Sequence, residues 1–268
     1  MVRKTILITG STDGIGKQTA IELVKKGHRV LIHGRNQLKS EQTAEEIRAS
    51  NPAGEIDTVF ADLSSMAEIH DLVEQVRNKC ANIDILINNA GIFRSTREES
   101  ADGFEMNFAV NYLAPYLLSM QLVPLMNEKP SSRIINVSSV AHKRGRLNFL
   151  DLQFQKNYDS YKAYADSKLM LIYLTYELAE KFAVENIAVN ALNPGMIGTK
   201  LLRQSFNMKG EHVTLGAETP VYLAISPEVK KVTGKYFDKR KPVPSSRLSY
   251  ELEARQELMA YTRDLVKQ

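Results

Sequence analysis

The segment TILITGSTDGIG, residues Thr5–Gly16, decides the fold. Its first half is a short, apolar and β-branched run, which is typical of a buried strand. Its second half places Gly10, Gly14 and Gly16 where the strand would turn into a helix. Such a turn lets a pyrophosphate approach the backbone and the free amides of the helix N-terminus. The segment therefore predicts a strand–turn–helix unit that binds a dinucleotide.

The same alternation continues along the chain. Further short apolar runs are RVLIH, IDTVF, IDILIN, RIINV, IAVNAL and TGKYF. Helical stretches are expected between them, near residues 16–26, 38–50, 65–79, 103–127, 158–184 and 215–225. Apolar strands that alternate with helices indicate a parallel sheet covered on both faces, with right-handed crossovers. We therefore predict an α/β fold, a single-domain Rossmann-like doubly wound parallel sheet over residues 1–268. A last helix should cover about 246–267, with Ser245 or Ser246 near its N-cap.

Composition narrows the functional classes. The chain has 43% hydrophobic and 25% charged residues and a net charge of +4, which suits a soluble globular protein and does not favour nucleic acid as a partner. The one cysteine, Cys80, cannot form an internal disulfide, so we expect a reducing, cytoplasmic location. The five histidines show no metal-ligand spacing, and we expect no metal. We also expect no signal peptide and no membrane span.

The glycine turn and the end of the second strand are the first candidate cofactor contacts. The turn residues are Gly10, Ser11, Thr12, Asp13, Gly14, Ile15 and Gly16. In LIHGRN, Gly34 stands where an NAD site would place an acid, and Arg35 follows it. A guanidinium can hold a 2′-phosphate, so the pattern favours NADP and leaves NAD open. Asp13 argues against NADP, because it occupies a position of the glycine turn where a basic residue would have helped. Arg35 could also be merely an exposed turn residue.

Two later turns extend the candidate cofactor site. Asp62, in FADLSS, could accept a hydrogen bond from an adenine amino group or could cap a helix starting near Ser64 or Ser65. Asn36 and Leu63 neighbour Arg35 and Asp62 and complete this group. NNAG supplies Asn89, Ala90 and Gly91, small residues against which a cofactor could lie, and its asparagines could tie neighbouring strands together.

YDSYKAYADSK contains two tyrosine–lysine pairs with helical i,i+4 spacing, Tyr158 with Lys162 and Tyr164 with Lys168. A nearby ammonium favours the phenolate and lowers the pKa of the phenol. Tyr158 and Tyr164 should point about 120° apart on a helix, so both cannot face one ligand. The spacing alone leaves the choice between them open.

Taken together, TGSTDGIG, ADL, NNAG, VNYLAPYLL, INVSSVAH, YADSK and NPGMIGT resemble, in order, the short-chain dehydrogenase/reductase family. The form VSSVAH and the long gap before YADSK resemble its retinol-dehydrogenase-like branch. The resemblance implies a sheet of about seven parallel strands. It also implies hydride transfer between a nicotinamide and an alcohol or carbonyl.

The resemblance assigns roles in the reaction. It makes Tyr164 the acid/base and Lys168 the residue that tunes it and binds the nicotinamide ribose, which leaves Tyr158 a structural or rim residue. Of the two serines after the fifth strand, it makes Ser139 the carbonyl-polarising one, with Ser138 nearer the core or the cofactor backbone.

Asn111 is the fourth implied catalytic residue, holding a water that links the lysine to solvent. Pro115, four residues later, has no amide hydrogen to pair with the Asn111 carbonyl, so we also expect a kink here. In NPGMIGT, the resemblance gives cofactor contacts to Pro194, Gly195, Ile197 and Thr199.

The segment from about 196 to 216 should cover the active site. It contains the apolar residues Leu201, Leu202, Phe206, Met208 and Val213, which either line a substrate pocket or pack against the body. We therefore predict an NADP(H)-dependent oxidoreductase for a small or lipophilic carbonyl or alcohol. The alternatives are a nucleotide-binding redox sensor or scaffold without turnover, and a sugar-nucleotide epimerase. The long apolar helices permit a homo-oligomer.

Overall fold

The computed structural model describes residues 2–126 and 131–267, built around one eight-stranded sheet of order β3-β2-β1-β4-β5-β6-β7-β8. The strands are β1 (Thr5–Ile8), β2 (Arg29–Gly34), β3 (Ile56–Phe60), β4 (Ile85–Asn88), β5 (Arg133–Val137), β6 (Ala188–Asn193), β7 (Lys235–Asp238) and β8 (Lys241–Val243). The first seven are parallel, which confirms the predicted doubly wound sheet. The short β8 is antiparallel to β7 and was not predicted. It carries Pro242, which a strand tolerates at a sheet edge.

Helices cover both faces of the sheet. They are α1 (Gly14–Lys25), α2 (Gln37–Ser50), α3 (Met66–Lys79), α4 (Met106–Phe108), α5 (Ala114–Met126), α6 (Ser160–Lys181), α7 (Lys200–Phe206), α8 (Val213–Ile225) and α9 (Leu252–Leu265). Side chains alternate along β1, so that Leu7 joins the core beneath α3, α5 and α6, while Ile6 and Ile8 join the core beneath α1, α2 and α8. The strand order reverses between β1 and β4, where α/β proteins form a crevice at the carboxyl ends of their strands.

Two predicted helix starts are corrected by the structure. Helix α1 begins at Gly14 rather than Gly16, because the Asp13 side chain accepts a hydrogen bond from the Gly14 amide and caps the helix. Helix α9 begins at Leu252, and neither predicted serine caps it. Ser246 instead precedes a short 3₁₀ turn, and the Ser245 hydroxyl hydrogen-bonds the hydroxyls of Tyr176 and Ser249.

A long apolar helix crosses the core between α3 and α6. Met106–Met126 is long and apolar enough to span a membrane by length and composition, contrary to our expectation that the chain has no such run. However, 78% of its most apolar 18-residue window is buried inside the protein, as in the core helix of a globular fold. The last residue of the predicted 103–127 helix lies outside the described residues.

This helix is irregular around Asn111, as predicted. Between α4 and α5, Ala109–Leu113 forms a π-helical turn, in which the Ala114 amide donates to the Ala109 carbonyl. Pro115 follows directly and cannot donate to the carbonyl of Asn111. Such turns are one of the identifiable causes of helix kinks and are frequent at functional sites.

Candidate active site

A cleft of about 580 Å³ opens at the carboxyl ends of the central strands. Its lining brings together predicted residues from every part of the chain: Gly10, Thr12, Asp13, Gly14, Ile15, Gly16, Arg35, Asp62, Leu63, Asn89, Ala90, Gly91, Ser139, Tyr164, Lys168, Pro194, Gly195, Ile197 and Thr199. The glycine turn and the tyrosine–lysine pair therefore share one cleft, although about 150 residues separate them in sequence.

The glycine turn leaves a shallow backbone cradle. Gly10 has a φ of +62°, and a Cβ built on it would lie 2.9 Å from Ala90 Cα. A Cβ on Gly16 would lie 2.4 Å from the side-chain nitrogen of Asn89. That nitrogen donates to the carbonyls of Thr9 and Gly10 at 2.8 and 3.1 Å, so β4 is tied to the turn as the NNAG motif suggested. The bare backbone in this cradle fits the close approach of a dinucleotide pyrophosphate.

His33 supports this turn and was missed by the sequence reasoning. Its Nδ1 accepts a hydrogen bond from the Gly10 amide at 3.1 Å, and its Nε2 faces the Ala61 carbonyl at 3.2 Å. Because Nδ1 is the acceptor, the proton of the neutral ring lies on Nε2. Burial lowers the pKa of His33 to about 4, which keeps the ring neutral. The only sequence signal was its position directly before Gly34 at the end of β2.

Two predicted contacts have side chains away from the cleft lining. Ser11 is fully buried, and its hydroxyl donates to Ile8 O at 2.8 Å and accepts from His33 N at 2.9 Å. The Asn36 side chain caps α2 by accepting from the Lys39 amide at 2.9 Å. Both side chains are therefore occupied in shaping turns that border the cleft.

Arg35 and Asp62 lie together on the cleft wall. Arg35 Nη1 is 4.0 Å from Asp62 Oδ2, and the Arg35 side chain is 67% exposed. Asp62 Oδ1 accepts from the amide and hydroxyl of Ser64 at 2.9 and 2.7 Å. The interpretation of Asp62 as a helix cap is wrong, because Ser65 caps α3.

Tyr164 lies on α6 and is 6% exposed. Burial raises the pKa of Tyr164 to about 12, while hydrogen bonding with the Ser139 side chain acts to lower it. This corrects the expected direction. The ammonium of Lys168 does not offset burial, since Nζ lies 5.8 Å from the centroid of the Tyr164 ring and is itself buried.

Lys168 is 4% exposed at the back of the cleft. Burial lowers the pKa of Lys168 to about 8. Its Nζ donates to the carbonyl of Val137 at 3.2 Å, and a Cβ built on Gly91 would lie 3.2 Å from it. The lysine thus sits between the end of β5 and the NNAG turn, where a side chain at position 91 would crowd its ammonium group.

Asn111 lies behind the lysine rather than on the cleft lining. Its side chain accepts from the Ile92 amide at 2.8 Å and donates to the Ile92 carbonyl and to Ser167 Oγ at 3.0 Å each. Asn111 is fully buried. It therefore fixes the NNAG turn against α6 next to Lys168.

The remaining serine and tyrosine choices agree with the geometry. Both serines border the cleft, but the Ser138 hydroxyl is occupied in donating to the Lys168 carbonyl at 3.0 Å, whereas the Ser139 side chain hydrogen-bonds with Tyr164. Tyr158 lies away from the cleft lining and its hydroxyl contacts the Arg94 carbonyl at 2.9 Å. Lys162, its i,i+4 partner, lies over the ring of Phe154 instead.

The segment 196–216 closes one side of the cleft. Its two ends are pinned together, since the Gly198 amide donates to the Glu211 carbonyl at 2.9 Å and the Glu211 amide to the Met196 carbonyl at 2.8 Å. Between them, the segment contains α7, which was not predicted. Four of the five predicted apolar residues line the cleft: Leu201, Leu202, Phe206 and Met208. Val213 instead begins α8.

Aromatic rings cluster above Tyr164. The ring centroid of Phe93 lies 5.7 Å from that of Tyr164 and 4.9 Å from that of Phe206. The rings of Phe206 and Tyr164 are 6.1 Å apart. The Tyr164 ring thus packs against two other aromatic rings, of which Phe206 lines the cleft.

The fold and the cleft define a nucleotide-binding enzyme of the Rossmann type. The family model for short chain dehydrogenase matches residues 4–210. The chain therefore belongs to the short chain dehydrogenase family. Its class is that of oxidoreductases that act on CH–OH or C=O groups with NAD(P).

Individual relatives place it further within the family. The chain is 37% identical over 269 residues to retinol dehydrogenase 13 of Mus musculus, covering 94% of this chain and 80% of that protein. It is 32% identical over 272 residues to the polyprenol dehydrogenase of Homo sapiens, covering 95% and 82%. These relatives confirm the resemblance to the retinol-dehydrogenase-like branch.

Solved structures share the fold over most of the chain. An uncharacterised protein from Mycobacterium paratuberculosis superposes with a TM-score of 0.83 at 26% identity, covering 100% of this chain and 94% of that one. The RhlG/NADP active-site complex of Pseudomonas aeruginosa superposes with a TM-score of 0.73 at 27% identity, covering 87% and 93%.

Proposed function

We propose that this protein is an NADP(H)-dependent oxidoreductase that interconverts a carbonyl and an alcohol on a lipophilic small molecule. The observation that carries the proposal is the position of Tyr164 in the cleft. Its phenol is buried against Ser139 on one side and apolar rings on the other, while the dinucleotide cradle opens into the same cleft.

Tyr164 is the group proposed to move the proton. In the reducing direction its hydroxyl gives a proton to the substrate oxygen, and in the oxidising direction the phenolate takes one back. Bound NADP(H) would supply or accept the hydride, and the positive charge of its oxidised ring would favour the phenolate. The Ser139 hydroxyl would hydrogen-bond the substrate oxygen and hold it against the phenol.

Lys168 and Asn111 support this chemistry from behind. Lys168 Nζ has three donor positions, of which one is used by the Val137 carbonyl. The others can hold the hydroxyls of a nicotinamide ribose. Asn111 keeps the NNAG turn and α6 in register through its bonds to Ile92 and Ser167, so that the lysine is held at a fixed depth.

Arg35 supports NADP over NAD. It is exposed on the cleft wall directly after Gly34, the residue that stands where an NAD site carries an acid. Asp62 Oδ2 lies 4.0 Å from Arg35 Nη1, and the Arg35 side chain is 67% exposed, so the guanidinium is accessible to a 2′-phosphate. The solved RhlG structure is a complex with NADP, which agrees with this preference.

The cleft wall supports a lipophilic substrate. Exposed apolar side chains at the cleft include Val140, Met196 and Met208, with exposed fractions of 52%, 57% and 42%. Apolar surface of this kind is stabilised when an apolar ligand covers it. The names of the two relatives, retinol dehydrogenase and polyprenol dehydrogenase, indicate substrates of the same character.

A cytoplasmic location remains part of the proposal. Cys80 is buried, and burial raises the pKa of its thiol, which suits a passive residue in a reducing compartment. Fractionation of cells that express the full natural chain would test this, and recovery in the membrane pellet would contradict it.

The function is tested by following NADPH oxidation with a series of straight-chain aldehydes of increasing length. We expect kcat/KM to rise with chain length, because longer chains cover more of the apolar wall. The variant Tyr164→Phe should bind NADPH normally and lose nearly all turnover. Binding of NADPH by the wild type without reduction of any carbonyl would support the redox sensor instead.

A further inference from the structure

An ion pair joins the segment 196–216, hereafter the lid, to the glycine turn. Lys200 Nζ, on the first residue of α7, lies 3.2 Å from Asp13 Oδ2. The other carboxylate oxygen of Asp13 accepts from the Gly14 amide at 2.8 Å and caps α1. One carboxylate therefore bridges the start of the cofactor-binding helix and the start of the lid helix, and both residues line the cleft.

The same two segments touch beside this ion pair. A Cβ built on Gly14 would lie 3.2 Å from Thr199 Cγ2, so the chain before α7 rests on the turn. Ile197 packs on the same side, since a Cβ on Gly216 would lie within 3 Å of side-chain atoms of both Ile197 and Ile15. The lid is thus seated on the glycine turn at several points, of which only the ion pair is charged.

The Asp13–Lys200 ion pair changes the charge that a bound pyrophosphate would meet at the glycine turn. Asp13 puts a carboxylate on a turn where a pyrophosphate would lie, and like charges so close repel. Lys200 neutralises that carboxylate and, through its two other N–H groups, offers donors to an anion in the cleft. Burial acts to raise the pKa of Asp13, but hydrogen bonds from Gly14 and Lys200 outweigh it and hold the carboxyl ionised.

We infer that Lys200 is a cofactor-binding residue that supplies a positive charge beside the pyrophosphate. Asp13 holds Lys200 over the glycine turn. Closure of the lid is therefore coupled to binding of NADP(H). The inference rests on the proposed NADP(H) function. It answers the objection that a basic residue is missing from the turn, because the lid delivers one.

Binding is the first test. The dissociation constant of NADPH is measured by nicotinamide fluorescence for the wild type, Lys200→Gln and Lys209→Gln, at low and high salt. Lys209 is the matched control, because it is an exposed lysine of the same lid that does not line the cleft. We expect Lys200→Gln to weaken binding roughly tenfold at low salt and less at high salt, since salt screens exposed charges. Lys209→Gln should change it less than twofold.

Lid closure is the second test and does not depend on turnover. Arg203 lies on α7 and is exposed, so trypsin cleavage after it reports opening of the lid. NADPH should protect this bond in the wild type and in Lys209→Gln, and should protect it less in Lys200→Gln and in Asp13→Asn. Unchanged NADPH affinity and unchanged protection in Lys200→Gln would overturn the inference. Failure of the wild type to bind NADPH at all would instead overturn the proposed function.

Discussion

The imidazole of His33 accepts a hydrogen bond from the amide of Gly10, with 3.1 Å between the two nitrogens. The opposite ring nitrogen reaches the Ala61 carbonyl at 3.2 Å, so one side chain joins the turns that follow β1 and β3. Both turns belong to the cleft wall. A fully buried neutral histidine with both nitrogens satisfied is a rigid spacer, and it fixes the height of the cradle on which the cofactor would lie.

Replacing His33 with Phe should therefore weaken cofactor binding. Phe fills the same space but leaves the Gly10 amide and the Ala61 carbonyl without their partner, at a cost of about 1–3 kcal/mol for each buried group. We expect the dissociation constant of NADPH, measured by fluorescence titration, to rise about tenfold.

The control for this variant is His28→Phe. His28 is equally buried and accepts a bond from the Lys4 amide at 3.2 Å, but it does not line the cleft. It should lower the melting temperature while leaving NADPH affinity close to that of the wild type. Equal loss of affinity in both variants would show that the effect comes from general destabilisation.

His33 also predicts a pH dependence of stability. Its pKa is about 4 in the folded protein against an ordinary value of 6.5, so the unfolded chain binds more protons between these values. The contribution of His33 to stability is complete above pH 6.5 and is lost as the pH falls towards 4, by up to about 3 kcal/mol. Urea unfolding at pH 7, 5.5 and 4.5 should show the wild type and His33→Phe converging on acidification. A constant difference would contradict this account.

We expect Lys168 to lower the free energy of unfolding at neutral pH. Burial lowers its pKa from 10.5 to about 8, so at pH 7 the fold carries a desolvated charge that the unfolded chain holds in water. The destabilisation is complete below pH 8 and disappears as the pH rises from 8 to 10.5, by up to about 3 kcal/mol. We expect Lys168→Met to raise the melting temperature at pH 7 and to abolish turnover. The gain should shrink at pH 9.5, and a lower melting temperature at pH 7 would contradict the prediction.

The variant Tyr158→Phe should distinguish the structural role of Tyr158 from the role of Tyr164 in turnover. The Tyr158 hydroxyl contacts the Arg94 carbonyl at 2.9 Å and Glu105 Oε1 at 3.2 Å, and it accepts from Asn107 at 3.0 Å. Burial and the Glu105 carboxylate raise its pKa, as burial does for Tyr164, but Tyr158 lies outside the cleft lining and its hydroxyl is held by these structural contacts. The variant should lose about 1–3 kcal/mol of stability and keep turnover within about threefold. Loss of turnover equal to that of Tyr164→Phe would reverse the assignment.

The sequence predicts most of this architecture because buried parallel strands and glycine turns are local patterns. The seven parallel strands each appear as a short apolar run, and the irregular turn at Asn111 follows from Pro115. The eighth strand has only three residues and a proline, so it carries no such pattern. The role of His33 could not be predicted from the sequence for another reason. Its hydrogen-bond partners, Gly10 and Ala61, come close to it only after the sheet has formed.

Electrostatics was harder to predict than topology. The tyrosine–lysine spacing suggested a phenol with a lowered pKa, but both side chains are buried. Burial raises the pKa of Tyr164 and lowers that of Lys168, so that the neutral form of each is favoured. The depth at which a helix is buried depends on the packing of the whole fold, which i,i+4 spacing does not contain. The same spacing describes Tyr158 and Lys162, yet the Tyr158 hydroxyl contacts the Arg94 carbonyl and the Lys162 ammonium lies over the Phe154 ring.

Cofactor choice gives the last prediction. Arg35 is the exposed cation at the end of β2, and Arg35→Asp would place a second carboxylate beside Asp62. Two carboxylates would repel a 2′-phosphate, whereas the new one could accept a hydrogen bond from a free ribose 2′-hydroxyl. We expect the ratio of kcat/KM for NADPH over NADH to fall by about 100-fold. Arg77→Asp is the charge-matched control, because Arg77 pairs with Glu74 on α3 and lies outside the cleft lining, so it should leave the ratio unchanged. An unaltered ratio in Arg35→Asp would show that the cofactor preference is set elsewhere in the cleft.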